Sequence, residues 1–384
     1  MASSRRRISM TPAFSELLLE GPSSAIEHLR SLYISRGSSI LDPQDELVLV
    51  ISQLSPHFCV RELGLDGDRA SIADAMTLLR GEVWRACISC ELLILLLEMT
   101  NDSLFSAQPQ AWIVHVLTCL GGLLSALYLC AELQRQTNAE PGHPLPDQQQ
   151  LEGMFALFHP TWQNLWAHID DFLDPRCDVV GSPGLVLGLL VSISGDMQYL
   201  CGTVYMHMVA STEAKMRVLL DVDYIPVILF AWTHATLRGG SGNFKLRRVP
   251  ALMQKYRNSV DEFNDSLALT DGSDVTKVSV SDKFDKAIFH IGSPQVVEAF
   301  RLVLDTKDWM VDEYLVEHLQ ELSVLLSPTL SHCSPLREAF WARPMTDALW
   351  AACKREQDHM AHLAHEANWR VHQTWCKLCC DLLG

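Results

Sequence analysis

Three groups of residues in this chain have the types and spacing that chemistry uses. Asp170-Asp171-Phe172-Leu173-Asp174 is a D-D-x-x-D string. On an α-helix Asp170 and Asp174 stand four apart on one face, where carboxylates can hold magnesium against a diphosphate. That is how an all-α, magnesium-dependent isoprenoid-type enzyme would use them. Such chemistry also needs a second metal motif on a facing wall. The nearest candidate starts at Asn264-Asp265, but Ala268 and Gly272 occupy the positions that should supply ligands. Pro175 also stops the helix at once, so the string reads better as an acidic, solvated helix end.

The second group is near the C-terminus, where His359, His362, His365, His372, Cys376, Cys379 and Cys380 crowd one helical stretch. His372 and Cys376 are four apart and suit zinc by type. One straight helix cannot wrap a tetrahedral ion, so these two are weak candidates, with His332 and Cys333 as conceivable further ligands. We expect no metal and no cofactor. The third group is the window 238–257. It holds Arg238, Lys245, Arg247, Arg248, Lys255 and Arg257 and no acidic residue. In a chain of net charge −16 this is a local reversal, suited to an acidic protein partner. Its glycines lack the spacing of a phosphate-binding loop, and no G-x-S-x-G, H-E-x-x-H or G-x-G-x-x-G string occurs. Trp162 and Trp166 are four apart, which places them on one helix face; core packing is the expected use, a partner groove the alternative.

The elements that must position these groups read as helices. Apolar residues recur at spacings of three and four nearly throughout. We expect helices over 13–19, 23–36, 43–54, 71–99, 111–136, 151–158, 161–173, 184–208, 225–237, 283–291, 294–304, 335–342 and 345–383, with others at 213–220, 249–269 and 311–326. Ser23 or Ser24 is expected to cap the second. The only β-leaning stretch, 274–280, is too short to build a sheet. The expected fold class is therefore all-α, either an irregular α-solenoid of armadillo/HEAT-like kind or a multi-helix bundle. We expect four regions: 1–12 disordered, 13–136 helical, 137–150 a Pro-rich polar linker, and 151–384 helical.

Hydrophobic residues make up 48% of the chain and charged residues 20%, enough to bury a core without staples. The acidic balance argues against nucleic-acid binding. The 12 cysteines are scattered, several within apolar helices (Cys87, Cys90, Cys119, Cys130, Cys201), which favours a reducing compartment. The start, MASSRRRISM, carries charge without an apolar run, so no secretory leader is expected, and Glu16 and Glu20 argue against a mitochondrial one. The expected location is the cytoplasm, with the nucleus as alternative. Arg6-Arg7-Ile8-Ser9 has the form of a basophilic kinase site. Residues 111–130 carry no formal charge and are long enough to span a bilayer. His115, the Gly121-Gly122 pair and the neighbouring Glu91 and Glu98 favour a buried core helix instead.

The stretch His159-Pro160-Thr161-Trp162-Gln163-Asn164-Leu165-Trp166 resembles the helical body of a family from mushroom-forming fungi, in which that body is often followed by a MYND-type zinc finger. Residues 215–235, an apolar run ending in a tryptophan-containing helix, are similar to that body too, and the likeness extends loosely over 80–384. A MYND finger needs several C-x-x-C pairs, and here only Cys376-Lys377-Leu378-Cys379-Cys380 occurs. The finger is expected to be absent. The resemblance implies a helical interaction scaffold. The expected function is a non-enzymatic helical scaffold or protein-interaction module, against two alternatives: the isoprenoid-type enzyme and a membrane-associated protein using 111–130.

Overall fold

Each apolar stripe read from the sequence needs a partner stripe, and in the computed structural model the helices supply one another's. The structure describes residues 14–58, 81–137, 146–174, 184–200, 224–239, 280–305 and 334–360. Among them are α-helices and short 3-10 turns and no strand, so the fold is all-α.

The first three helices are α1 (Phe14–Glu20), α2 (Pro22–Arg36) and α3 (Glu46–Leu54). Pro22 takes the opening of α2, where a missing N–H costs nothing. The expected serine cap is not used; Gly21 stands at the N-cap and no side chain caps the helix. Next come α4 (Glu82–Ser89), α5 (Leu92–Asn101) and α6 (Gln110–Thr137), followed by α7 (Gln148–Ala167) and α8 (Leu185–Leu200). The rest are α9 (Tyr224–Leu237), α10 (Val280–Ile291), α11 (Ser293–Asp305), α12 (Ser334–Trp341) and α13 (Arg343–Met360). Packing often skips a helix along the chain: α6 lies on α3, α5 and α8, α7 on α5 and α9, and α9 also on α8, α10 and α11. One continuous core runs from Phe14 to Met345.

Two expected boundaries are corrected. The long helix expected over 71–99 is broken between α4 and α5, where Glu91 adopts a left-handed backbone with φ 52°. The break re-aims Leu92, Leu95, Leu96 and Leu97 so that all four are buried. It also frees the carbonyl of Cys90, which accepts from an Arg30 Nη2 at 2.5 Å. A Cβ atom crowds the backbone carbonyl in that conformation, so Glu91→Gly is expected to raise stability by about 0.5–1 kcal/mol, read from its urea midpoint.

Conversely, the two helices expected at 151–158 and 161–173 are one helix through Pro160, ending at Ala167, with a 3-10 turn (Ile169–Leu173) after it. Proline removes one ladder bond. Burial of Phe155, Phe158, Thr161, Trp162 and Leu165 keeps the axis going. The start of α7 is fixed by a capping box, with Gln150 N donating to Asp147 Oδ1 at 2.8 Å and Gln150 Oε1 accepting from Asp147 N at 3.0 Å.

α6 covers the stretch 111–130. It is long and apolar enough to cross a bilayer over Gln110–Tyr128, and 67% of that window is buried against the protein itself. The Gly121-Gly122 pair is there for close approach: Gly121 faces Ile193 of α8, and Gly122 lies under the backbone of Phe58. Cys87, Cys119 and Cys130 are buried and Cys90 is half-buried, none of them in a disulfide. Burial pushes the Cys130 thiol up to about 12 and raises that of Cys87 as well, so neither is poised to react. The expected helices at 213–220, 249–269 and 311–326, and the β-leaning 274–279, lie outside the described residues. So do Ser9 and its arginines, most of the 137–150 linker, and His372 and Cys376.

Candidate functional site

The chemistry-bearing residues that the structure brings together lie where α7 ends. After His168 the chain tightens into the Ile169–Leu173 turn, whose apolar members Ile169 and Phe172 are buried. Phe172 packs at 6.5 Å between ring centroids from Phe105, in a second 3-10 turn (Phe105–Ala107). With those two side chains turned inward, Asp170 and Asp171 face outward, and their side chains are 67% and 54% exposed.

Both carboxylates have protein partners. His290 Nε2 of α10 lies 3.1 Å from Asp170 Oδ1. Ser106 Oγ donates to Asp171 Oδ2 at 2.7 Å, and His168 Nδ1 is 3.4 Å from the same oxygen. The string is thus on a 3-10 turn, and its first two carboxylates are in solvent. A magnesium site of the isoprenoid kind needs them turned into an apolar cavity, which the described residues do not show. Among those residues no group of three or more His, Cys, Asp or Glu is placed to hold a metal ion.

Behind Asp170 lies a pack of rings contributed by three helices. Trp166 of α7 is half-buried, with centroid distances of 5.1 Å to His290 and 6.5 Å to Phe230 of α9. Phe230 in turn lies 4.4 Å from His234, one turn along α9, and 5.8 Å from His290. Lys286, one turn before His290 on α10, sits 5.6 Å above the Trp166 ring. A cation over an indole face is attracted by its quadrupole. Burial first, then the nearby Arg238 and His290, hold the His234 imidazole down to about 4, with Asp170 partly offsetting them. His234 is therefore neutral at pH 7.

Of the six residues in the expected basic window, Arg238 is described. It follows α9, is half-buried, and donates an Nη2 hydrogen bond to the Leu173 carbonyl at 2.5 Å. Its guanidinium ties α9 to the turn. Lys245, Arg247, Arg248, Lys255 and Arg257 lie outside the described residues. The tryptophan pair divides: Trp162 is buried beside Tyr224 at 6.2 Å, whereas Trp166 belongs to the ring pack. Sequence reasoning missed His234, Lys286 and His290. The available signal was two pairs at i, i+4, His234/Arg238 and Lys286/His290, at or beside the ends of two expected helices.

A second polar pair is Ser55 Oγ with His115 Nδ1, 2.7 Å apart, which joins the end of α3 to α6. Burial lowers His115. Ser55 is itself buried, so this pair seals polar atoms in a packed interface.

Comparison with protein-family models, curated proteins and solved structures finds no match to this chain.

Proposed function

We propose that this chain is a non-enzymatic helical scaffold that binds another protein. The observation that carries the reading is a set of large aromatic side chains left in solvent on helices whose other faces are packed. Phe289 of α10 is 92% exposed and Trp350 of α13 is 77% exposed, with Trp341 of α12 partly so. Burying a side chain of this size against a partner gives more than most contacts, and Trp and Phe are favoured at interface centres. Packing of most helices on those one or two places away in the chain supports a solenoid-like body, which presents long surfaces to partners. The partner side of the proposal is an acidic protein meeting the basic window 238–257, in the cytoplasm or, as alternative, the nucleus. The proposed kinship is with the helical bodies of the fungal MYND-associated proteins.

The test is affinity capture with the full chain beside Phe289→Ala, Trp350→Ala and the charge-reversed pair Arg247→Glu/Arg248→Glu. A partner recovered with the wild type, whose binding falls on the order of tenfold in at least one variant, is the expected result. Recovery of no partner by the wild type, or equal recovery by every variant, overturns it.

A further inference from the structure

We propose that the junction of α9, α10 and the Ile169–Leu173 turn is an acid-released joint with His234 as its trigger. The geometry is a half-buried imidazole 4.4 Å from Phe230 on its own helix, and the Phe230 ring in turn meets His290 of α10 at 5.8 Å and Trp166 of α7 edge-on at 6.5 Å. The charged and titratable groups acting on it are Arg238 on its own helix, His290 on α10 and Asp170 on the turn. Lys286 joins the same pack through Trp166. Two tethers close the joint, His290 to Asp170 and Arg238 to the Leu173 carbonyl. A proton on His234 therefore enters a poorly solvated pack that already holds Arg238, with one carboxylate to answer both.

The sign follows from linkage. The folded joint keeps His234 neutral down to about pH 4, whereas an opened joint lets it protonate from its ordinary value of 6.5. Opening thus binds a proton, and acid favours it as pH falls from 6.5 towards 4; below that the effect is constant. The His290–Asp170 pair is largely solvated, and exposed ion pairs contribute little, so the more buried His234 ring decides the direction.

The experiment is hydrogen–deuterium exchange of the full chain at about pH 7 and about pH 4.5, corrected for intrinsic exchange, with peptides covering Tyr224–Leu237 and Val280–Ile291. In the wild type, opening of these two helices rises on the order of tenfold at the lower pH, after discounting for partial exposure, while α5 stays protected. His234→Gln removes the rise, and His290→Gln keeps it. Should His234→Gln fail to fold, His234→Phe fills the same space with a ring that cannot protonate, and the same flat response is expected. Equal responses in the wild type and the folded variant, or a wild-type rise spread evenly over α5 as well, overturn the proposal.

Discussion

Gly122→Ala is expected to destabilise the protein by about 3 kcal/mol, while Gly121→Ala beside it stays within about 0.5 kcal/mol of the wild type. The two positions differ in what a new methyl group meets. At Gly121 it would touch Ile193 Cγ1 at 3.5 Å, an ordinary contact with a side chain that can yield. At Gly122 it would overlap the carbonyl oxygen of Phe58 and lie 2.8 Å from the Phe58 Cβ. A backbone oxygen cannot rotate away, so α6 and the segment after α3 have to separate. Alanine gains about 1 kcal/mol over glycine in helix propensity at either site, which partly offsets the loss at Gly122 and compensates strain at Gly121. Urea unfolding of the two variants side by side reads the difference. Equal midpoints would mean that α6 does not approach Phe58 this closely.

Arg36→Ala is expected to cost about 3 kcal/mol, far above a surface ion pair. Arg36, the last residue of α2, pairs with Asp102, which follows α5, and the two side chains are only 5% and 16% exposed. Asp102 Oδ1 also accepts from Leu104 N at 2.9 Å. Its carbonyl accepts from Asn164 of α7 at 3.1 Å. Removing the guanidinium leaves a carboxylate fixed in place, poorly solvated and unpaired. Adding Asp102→Asn to Arg36→Ala removes that charge, so the double variant is expected to be more stable than the single one. A double variant that loses further stability in chemical unfolding would show that the pair contributes by attraction alone.

The helical class was legible because the signal is local. The uncharged run that became α6 and the apolar faces of α8, α9 and α11 needed nothing beyond their own spacing. Pro160 misled because its local cost was read without the five buried residues around it, which belong to a tertiary face. Cys90 and Glu91 misled in the opposite sense: the pattern through 71–99 is continuous, and the break is set by what α6 and α7 ask of the leucines in α5. The ring pack was illegible for a stronger reason. His290 and Asp170 are 120 residues apart, and spacing within a helix carries no information about which helix faces it. The acidic string drew attention by its composition, yet Ile169 and Phe172 decide its orientation by taking the inward positions.

In α9 nearly every side chain is inside the fold, from Tyr224 to Thr236, with His234 half-covered. Such a segment has no face of its own for water. During synthesis it leaves the ribosome before α10 and α11, the helices that cover much of it, so it waits with its leucine, isoleucine and tryptophan side chains bare. The interval is the natural point for a chaperone to hold the nascent chain, and a product cut short before α10 would carry an adhesive rod with nothing to sheathe it.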